Sequence, residues 1–170
     1  VARRLNASRK RWEEIHFVDD SCSESSKYGA KVFSLDALIS TGALAYGEVV
    51  IANGEPAIRE KLENRLVAAG TELGVVTDVS TLVADSAVLE PGTVVMPLCS
   101  ISSDARLKRN ASVNTMSIVG HDVEVGENSV ISSMVNIGGA CKIGKNCYIG
   151  MGALIKESLV IGDNVIIGMG

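Results

Sequence analysis

The chain has 170 residues, room for one or two small domains. Its 16 Lys and Arg are outnumbered by 20 Asp and Glu, with no long basic run, which argues against a nucleic-acid partner. No apolar run approaches the length of a membrane span, so no membrane partner is expected, and no apolar core follows Val1-Ala2-Arg3-Arg4-Leu5 to make a signal peptide.

Val1 to Trp12 reads as a helix. Ile15-His16-Phe17-Val18 is a short strand running into Asp19-Asp20, with His16 in a structural place. The Ser-rich stretch that follows carries Cys22, an exposed loop residue. Glu48-Val49-Val50-Ile51-Ala52 is a second strand, ending at Asn53-Gly54. A helix comes next, with Pro56 in its first turn and Glu55 and Glu60 near its positive end. Ile58, Leu62 and Leu66 mark its expected buried face, and Gly70 suits its C-terminal cap. Leu73-Gly74-Val75-Val76 reads as a third strand.

Strand–helix–strand at this spacing points to a parallel sheet of Rossmann type. Ligands in such sheets bind beyond the carboxyl ends of strands, where Asp19, Asp20 and Gly54 stand. Two readings stay open there: ordinary turn residues, or partners that hold a uracil or ribose by hydrogen bonds. A nucleotide-binding domain of this type normally opens with a strand and a Gly-rich loop, and neither is present. Residues 1–76 are therefore expected to be an incomplete Rossmann-like domain.

From Val83 to Ile167 every sixth residue is Val, Leu or Ile. This period is neither helical nor that of a single strand. It fits a parallel β-helix of triangular coils, each of about eighteen residues, stacked at the strand spacing of roughly 4.8 Å. A second, smaller inward row follows each aliphatic by four residues, and includes Cys99, Ser117, Ser129, Cys141 and Cys147. The three cysteines read as small core residues, and the usage fits a reducing cytoplasm rather than a disulfide framework. Gly follows the aliphatic at Gly120, Gly126, Gly138, Gly144, Gly150, Gly162 and Gly168, and Asn stands at Asn128, Asn146 and Asn164. These are read as corner residues tolerating positive φ. Residues 77–170 make this second domain. Its last coil ends uncapped at Gly170, so the chain is expected to be an internal fragment of a longer protein.

The repeats hold one histidine, His121, two residues after an inward aliphatic and hence projecting outward near a corner. A neutral imidazole there can act as a general base, with Asp122 beside it to orient it or raise its basicity. Gly139 lies one coil above, where no side chain covers the ring and a backbone amide is free for a carbonyl oxygen. A γ-type carbonic anhydrase is excluded, since its zinc needs three histidines and the chain has two; no metal is expected.

The order Asp19-Asp20, Ile51-Ala52-Asn53-Gly54, then repeats carrying Val119-Gly120-His121-Asp122 resembles the sialic acid O-acetyltransferase family, which includes the N-acetyltransferases of UDP-4-amino-sugars. The resemblance covers nearly the whole chain. It implies a left-handed β-helix, a Rossmann-like sugar-nucleotide domain and acetyl-CoA as donor. It also implies a homotrimer with active sites between subunits, in cytoplasmic cell-surface polysaccharide biosynthesis. Carried over by position, His121 is the base and Asp122 the acid that tunes it. Gly139, Met151 and Met169 lie along acetyl-CoA, and Asp19, Asp20 and Gly54 contact a nucleotide-sugar acceptor, a UDP-sugar first. Val130 stands where many members have a second histidine, which removes a donor to the acetyl carbonyl and leaves the base in place. The rival readings are a non-catalytic β-helix scaffold or assembly module, and a hexapeptide acetyltransferase with a non-sugar acceptor.

Overall fold

The hexapeptide period becomes a triangular prism in the computed structural model, which describes residues 1–170. From Val76 onward the chain runs as two-residue strands, β4 (Val76–Thr77) through β19 (Ile166–Ile167), separated by tight corners. Each strand pairs in parallel with its equivalent in the next coil, as Val94 does with Ser112, Ser112 with Val130, and Val130 with Tyr148. Three faces result, of six, five and five strands. The first face carries Val94, Ser112, Val130 and Tyr148 outward, the second Ser100, Ile118 and Asn136, the third Arg106, Glu124 and Lys142.

Both inward rows are where the sequence puts them. Val95, Leu107, Val113, Val119, Val125 and Ile131 are fully buried, as are Ala105, Ala111, Ser117, Ser129, Cys141 and Cys147. The polar members of the small row have a task that a methyl group cannot do. Ser117 Oγ donates to the Ser132 carbonyl at 2.8 Å and accepts from the Val135 amide at 3.2 Å. Ser129 does the same between the Gly144 carbonyl at 2.7 Å and the Cys147 amide at 2.9 Å. The thiols of Cys99, Cys141 and Cys147 donate to the carbonyls of Asn114, Lys156 and Gly162, each at 3.0 Å. The row thus satisfies corner backbone groups that burial would otherwise orphan. Burial pushes the Cys99 thiol up, so it keeps its proton for this bond.

The corners correct one expectation. Left-handed backbone recurs every sixth residue, at Leu98, Asp104, Asn110, Met116, Asp122, Asn128, Met134, Ala140, Asn146, Ser158 and Asn164, with Gly92 and Gly152 in the same series. The asparagines sit where their tolerance of positive φ is used. The glycines that follow the aliphatics do not have positive φ. At Gly120, Gly126, Gly138, Gly144 and Gly150 the next coil is too near for a side chain: a Cβ on Gly126 would lie 2.5 Å from the Gly144 carbonyl oxygen, and one on Gly120 2.8 Å from the Gly139 amide nitrogen, whereas Gly162 and Gly168 have nothing within 4 Å.

The N-terminal elements are α1 (Ala2–Arg9), β1 (Phe17–Val18), β2 (Ser26–Lys27), β3 (Ala30–Phe33), α2 (Leu35–Thr41), a 3-10 turn at Ala43–Tyr46, and α3 (Pro56–Ala68). The first helix ends before Trp12 because Lys10 turns left-handed, at φ 48°. β1 pairs in parallel with β3, which pairs antiparallel with β2. The strand–helix–strand unit around α3 is reduced to one parallel bridge, Val49 with Leu73, and β1 does not join it. Leu35, Leu44, Ile51, Leu66 and Leu73 form a small second core. No helix is long and apolar enough to cross a membrane.

Helix α3 also departs from its expected face. Leu66 is buried and Leu62 half-buried against the small second core, as expected, but Ile58 is exposed, and Pro56, Arg59 and Glu63 are buried. The reason is the surface α3 meets. It docks on the edge between the third and first faces at Arg109 and Asn110, whose polar groups require polar partners.

Candidate active site

His121 stands on the edge between the second and third faces, after the strand Ile118–Val119 and before Glu124–Val125. Its carbonyl accepts from the Ala140 amide at 2.8 Å, and the Asp122 amide donates to the Ser103 carbonyl at 3.0 Å, so both neighbouring coils fix the corner. Asp122 is the left-handed residue of this corner, with φ 56°. Its Oδ2 lies 2.8 Å from His121 Nδ1. A carboxylate there puts the ring proton on Nδ1 and leaves the Nε2 lone pair open to accept a proton. The His121 side chain is 68% exposed, so water reaches this base freely in a single copy.

Gly139 lies against the ring, as the coil length requires. A Cβ on Gly139 would sit 2.6 Å from His121 Cε1 and 2.9 Å from Cδ2, with Nε2 closer still. The gap left by the missing side chain is therefore filled by the imidazole itself rather than standing open above it. The Gly139 amide donates no hydrogen bond, although the adjacent amides of Gly138 and Ala140 bond to the Ile155 and His121 carbonyls. One corner thus presents a lone pair and an unpaired N–H, the two groups that acyl transfer needs.

Met151 and Met169 stand on a different edge, between the first and second faces, and are exposed. Leu98, Met116 and Met134 share that edge and are exposed too. Within one chain the structure does not bring the methionines to His121. Val130 is buried on the first face, at 1% exposure, and also lies away from the His121 corner.

The N-terminal candidates divide. Asp19 is half-buried, and the Ser21 hydroxyl at 2.6 Å, with the Ser21 amide at 3.0 Å, holds its carboxyl below the usual range. Asp20 is engaged by the fold: Oδ1 accepts from the Leu35 amide at 2.7 Å, at the start of α2, and Oδ2 pairs with Arg65 at 3.3 Å. Gly54 is exposed, with nothing within 4 Å of where a Cβ would stand.

The sequence reading passed over Arg59, which is 1% exposed and bonds to both the Ile51–Asn53 turn and Asn110. Arg59 and Glu63 are four apart on a helix, a pattern that reads as a solvated ion pair. The available signal was Asn110, at coil spacing from the corner asparagine Asn128.

Residues 140–170 match the family model described as bacterial transferase hexapeptide (six repeats). No curated protein matches the chain. Among solved structures, the acetyltransferase domain of PglB from Neisseria gonorrhoeae is 28% identical with a TM-score of 0.91, over 98% of this chain and 81% of that one. The same domain has been solved in complex with acetyl coenzyme A. WeeI from Acinetobacter baumannii is 25% identical with a TM-score of 0.87, over 99% of this chain and 82% of that one. Perosamine N-acetyltransferase from Caulobacter crescentus, solved with CoA and GDP-perosamine, is 23% identical with a TM-score of 0.87, over 99% and 81%; that likeness is one of fold. The repeats accordingly form a left-handed parallel β-helix, and the resemblance carried by the sequence motifs holds along nearly the whole chain.

Proposed function

We propose that this chain, a hexapeptide-repeat protein akin to the sugar acetyltransferases, moves the acetyl group of acetyl-CoA to an amine or hydroxyl of a nucleotide-linked sugar, with His121 as general base. The observation that carries this is the His121 corner. Asp122 fixes the ring's proton on Nδ1, Nε2 is free, and an unpaired Gly139 amide shares the site. The acetyl-CoA complex of the Neisseria domain supports the donor, and the resemblance carried by Asp19-Asp20 and Ile51-Ala52-Asn53-Gly54 points to a nucleotide-sugar acceptor.

Acetyl-CoA supplies the acyl group as a thioester. His121 Nε2 takes the proton of the acceptor's amine or hydroxyl as the new bond to the thioester carbonyl forms. The Gly139 amide donates to the oxygen as negative charge grows there. Asp122 stabilises the imidazolium, which returns the proton to the departing CoA sulfur. No covalent enzyme intermediate is needed, since both substrates are bound together.

In this reading residues 1–76 serve as a Rossmann-like acceptor domain and residues 77–170 as the acyltransferase domain. Asp19, Asp20 and Gly54 contact the nucleotide-sugar, a UDP-sugar first. The assembly is a cytoplasmic homotrimer. Two features support the trimer: the exposed apolar edge of Leu98, Met116 and Met134, and the openness of His121. A neighbouring copy would bring its Met151 edge beside this copy's His121, close the base off from water, and place Met151 and Met169 along acetyl-CoA with Gly139.

Thiol release from acetyl-CoA, measured with a panel of UDP-, dTDP- and GDP-linked amino sugars, tests the reading. Release with at least one acceptor is expected. No release with any of them would leave the scaffold reading in its place.

A further inference from the structure

Arg59 is the largest fully buried side chain, and it is charged. All five of its N–H groups are used. Nε and one Nη2 hydrogen go to the Asn110 carbonyl at 3.0 and 2.6 Å, and the other Nη2 hydrogen to Asn110 Oδ1 at 2.7 Å. Nη1 donates to the Ile51 carbonyl at 2.7 Å and the Asn53 carbonyl at 2.9 Å. Burial lowers its pKa to about 10, with Glu63 opposing, so it stays a cation at neutral pH. One guanidinium therefore joins the turn before Gly54 to an edge of the β-helix. Its planar fork makes this reach possible, and a point charge cannot duplicate it.

The surroundings strengthen the link. One turn along α3, Glu63 pairs with Arg109, the residue next to Asn110. Near the end of the same helix, Arg65 bonds Asp20 at 3.3 Å and Asp36 at 2.6 Å. α3 thus touches both proposed acceptor segments, Asp20 and the 51–54 turn, and ties them to the repeats. A Leu or Met at position 59 would pack α3 as well, but would leave the three carbonyls without donors.

We propose that Arg59 is a positioning residue for the acceptor: it holds the 51–54 turn at a fixed place on the β-helix, so that a nucleotide-sugar bound there meets the acyl site in register. This rests on the reading that the turn contacts the acceptor.

The test uses the whole chain and three variants. Arg59→Lys keeps the charge and loses the fork. Asn110→Gly suits the left-handed backbone at φ 57° and removes the side-chain acceptor, its bond to Asn128 and the long Nδ2 bond, at 3.4 Å, to the Arg59 carbonyl. Asn128→Gly, at φ 59°, breaks that same Asn–Asn bond and leaves the Arg59 contacts intact. Amide exchange over residues 51–54 and binding of free UDP are measured on each. Arg59→Lys and Asn110→Gly should exchange and bind about tenfold worse, the value of one charged hydrogen bond, and Asn128→Gly should match wild type. If Arg59→Lys does not fold, Asn110→Gly alone decides. Unchanged exchange overturns the proposal, as does faster exchange with unchanged UDP affinity. A wild-type protein that does not bind UDP overturns the acceptor reading itself, which is a different result from unaffected variants.

Discussion

Replacing Gly139 by Ala probes the active-site geometry with one carbon. The new Cβ would lie 2.6 Å from His121 Cε1 and 2.9 Å from Cδ2. Carbon–carbon contacts settle at about 3.5–4.0 Å, so the ring must retreat by about 1 Å. The backbone does not resist, because Gly139 is not left-handed. The retreat is cheap for the fold as well: the side chain is 68% exposed, and leaving its rotamer costs roughly 1 kcal/mol or less. The cost falls on turnover, where a misplacement of about 1 Å can lose about a hundredfold. The assay is thiol release from acetyl-CoA at saturating acceptor, with thermal melting as the control. Gly139→Ala should melt like wild type and turn over about a hundredfold more slowly. Added to His121→Ala it should cost little more, since no ring is left to displace. A folded Gly139→Ala with wild-type kcat would refute the packing argument, and a full further loss in the double variant would assign the effect to the donor instead.

Other outcomes follow from the prism and its N-terminal attachment. Ser129→Ala leaves the Gly144 carbonyl and the Cys147 amide unpaired in the core and should cost about 2 kcal/mol in urea unfolding, whereas Cys147→Ser keeps the donor to Gly162 and should cost less than about 1 kcal/mol. Ser158→Asn, at a left-handed corner of φ 62°, should raise stability by up to about 1 kcal/mol, because Asn tolerates that backbone better. Asp78 is buried beside Arg4, at 3.3 Å. Burial opposes its ionisation most strongly, but the Ser80 hydroxyl and amide, with Arg4, outweigh it and hold the carboxyl below its ordinary value. A depressed folded pKa contributes stability above the unfolded value of about 3.9, and that contribution is lost as pH falls through the folded value. Urea midpoints should therefore fall less steeply with acid in Asp78→Asn than in wild type over this window; parallel curves would remove Asp78 from the account.

The repeats were legible because they are a one-dimensional pattern: a fixed period sets the coil, and the coil sets Gly139 against His121. The reason for the glycines was not legible. Sequence reasoning assigns them to strained corners, and the structure assigns Gly120, Gly126, Gly138, Gly144 and Gly150 to the close approach of the next coil, with Asp122, Met116 and Leu98 at the strained positions instead. Ile58 and Arg59 show the second limit. Hydrophobic spacing predicts the buried face of a helix only when its partner surface is apolar, and α3 docks on a polar edge. The third limit is assembly. Met151 and Met169 occupy another edge of the same prism, so their relation to His121 depends on contacts between copies, which a single chain does not encode as a pattern.

His121→Ala removes the one group on which acetyl transfer should depend. Single-turnover acetyl transfer, melting temperature and sedimentation should be measured on wild type and variant together. Transfer should be at least about a hundredfold slower in the variant, with melting and assembly unchanged. Wild-type transfer in a folded His121→Ala protein would contradict this and remove His121 as the base.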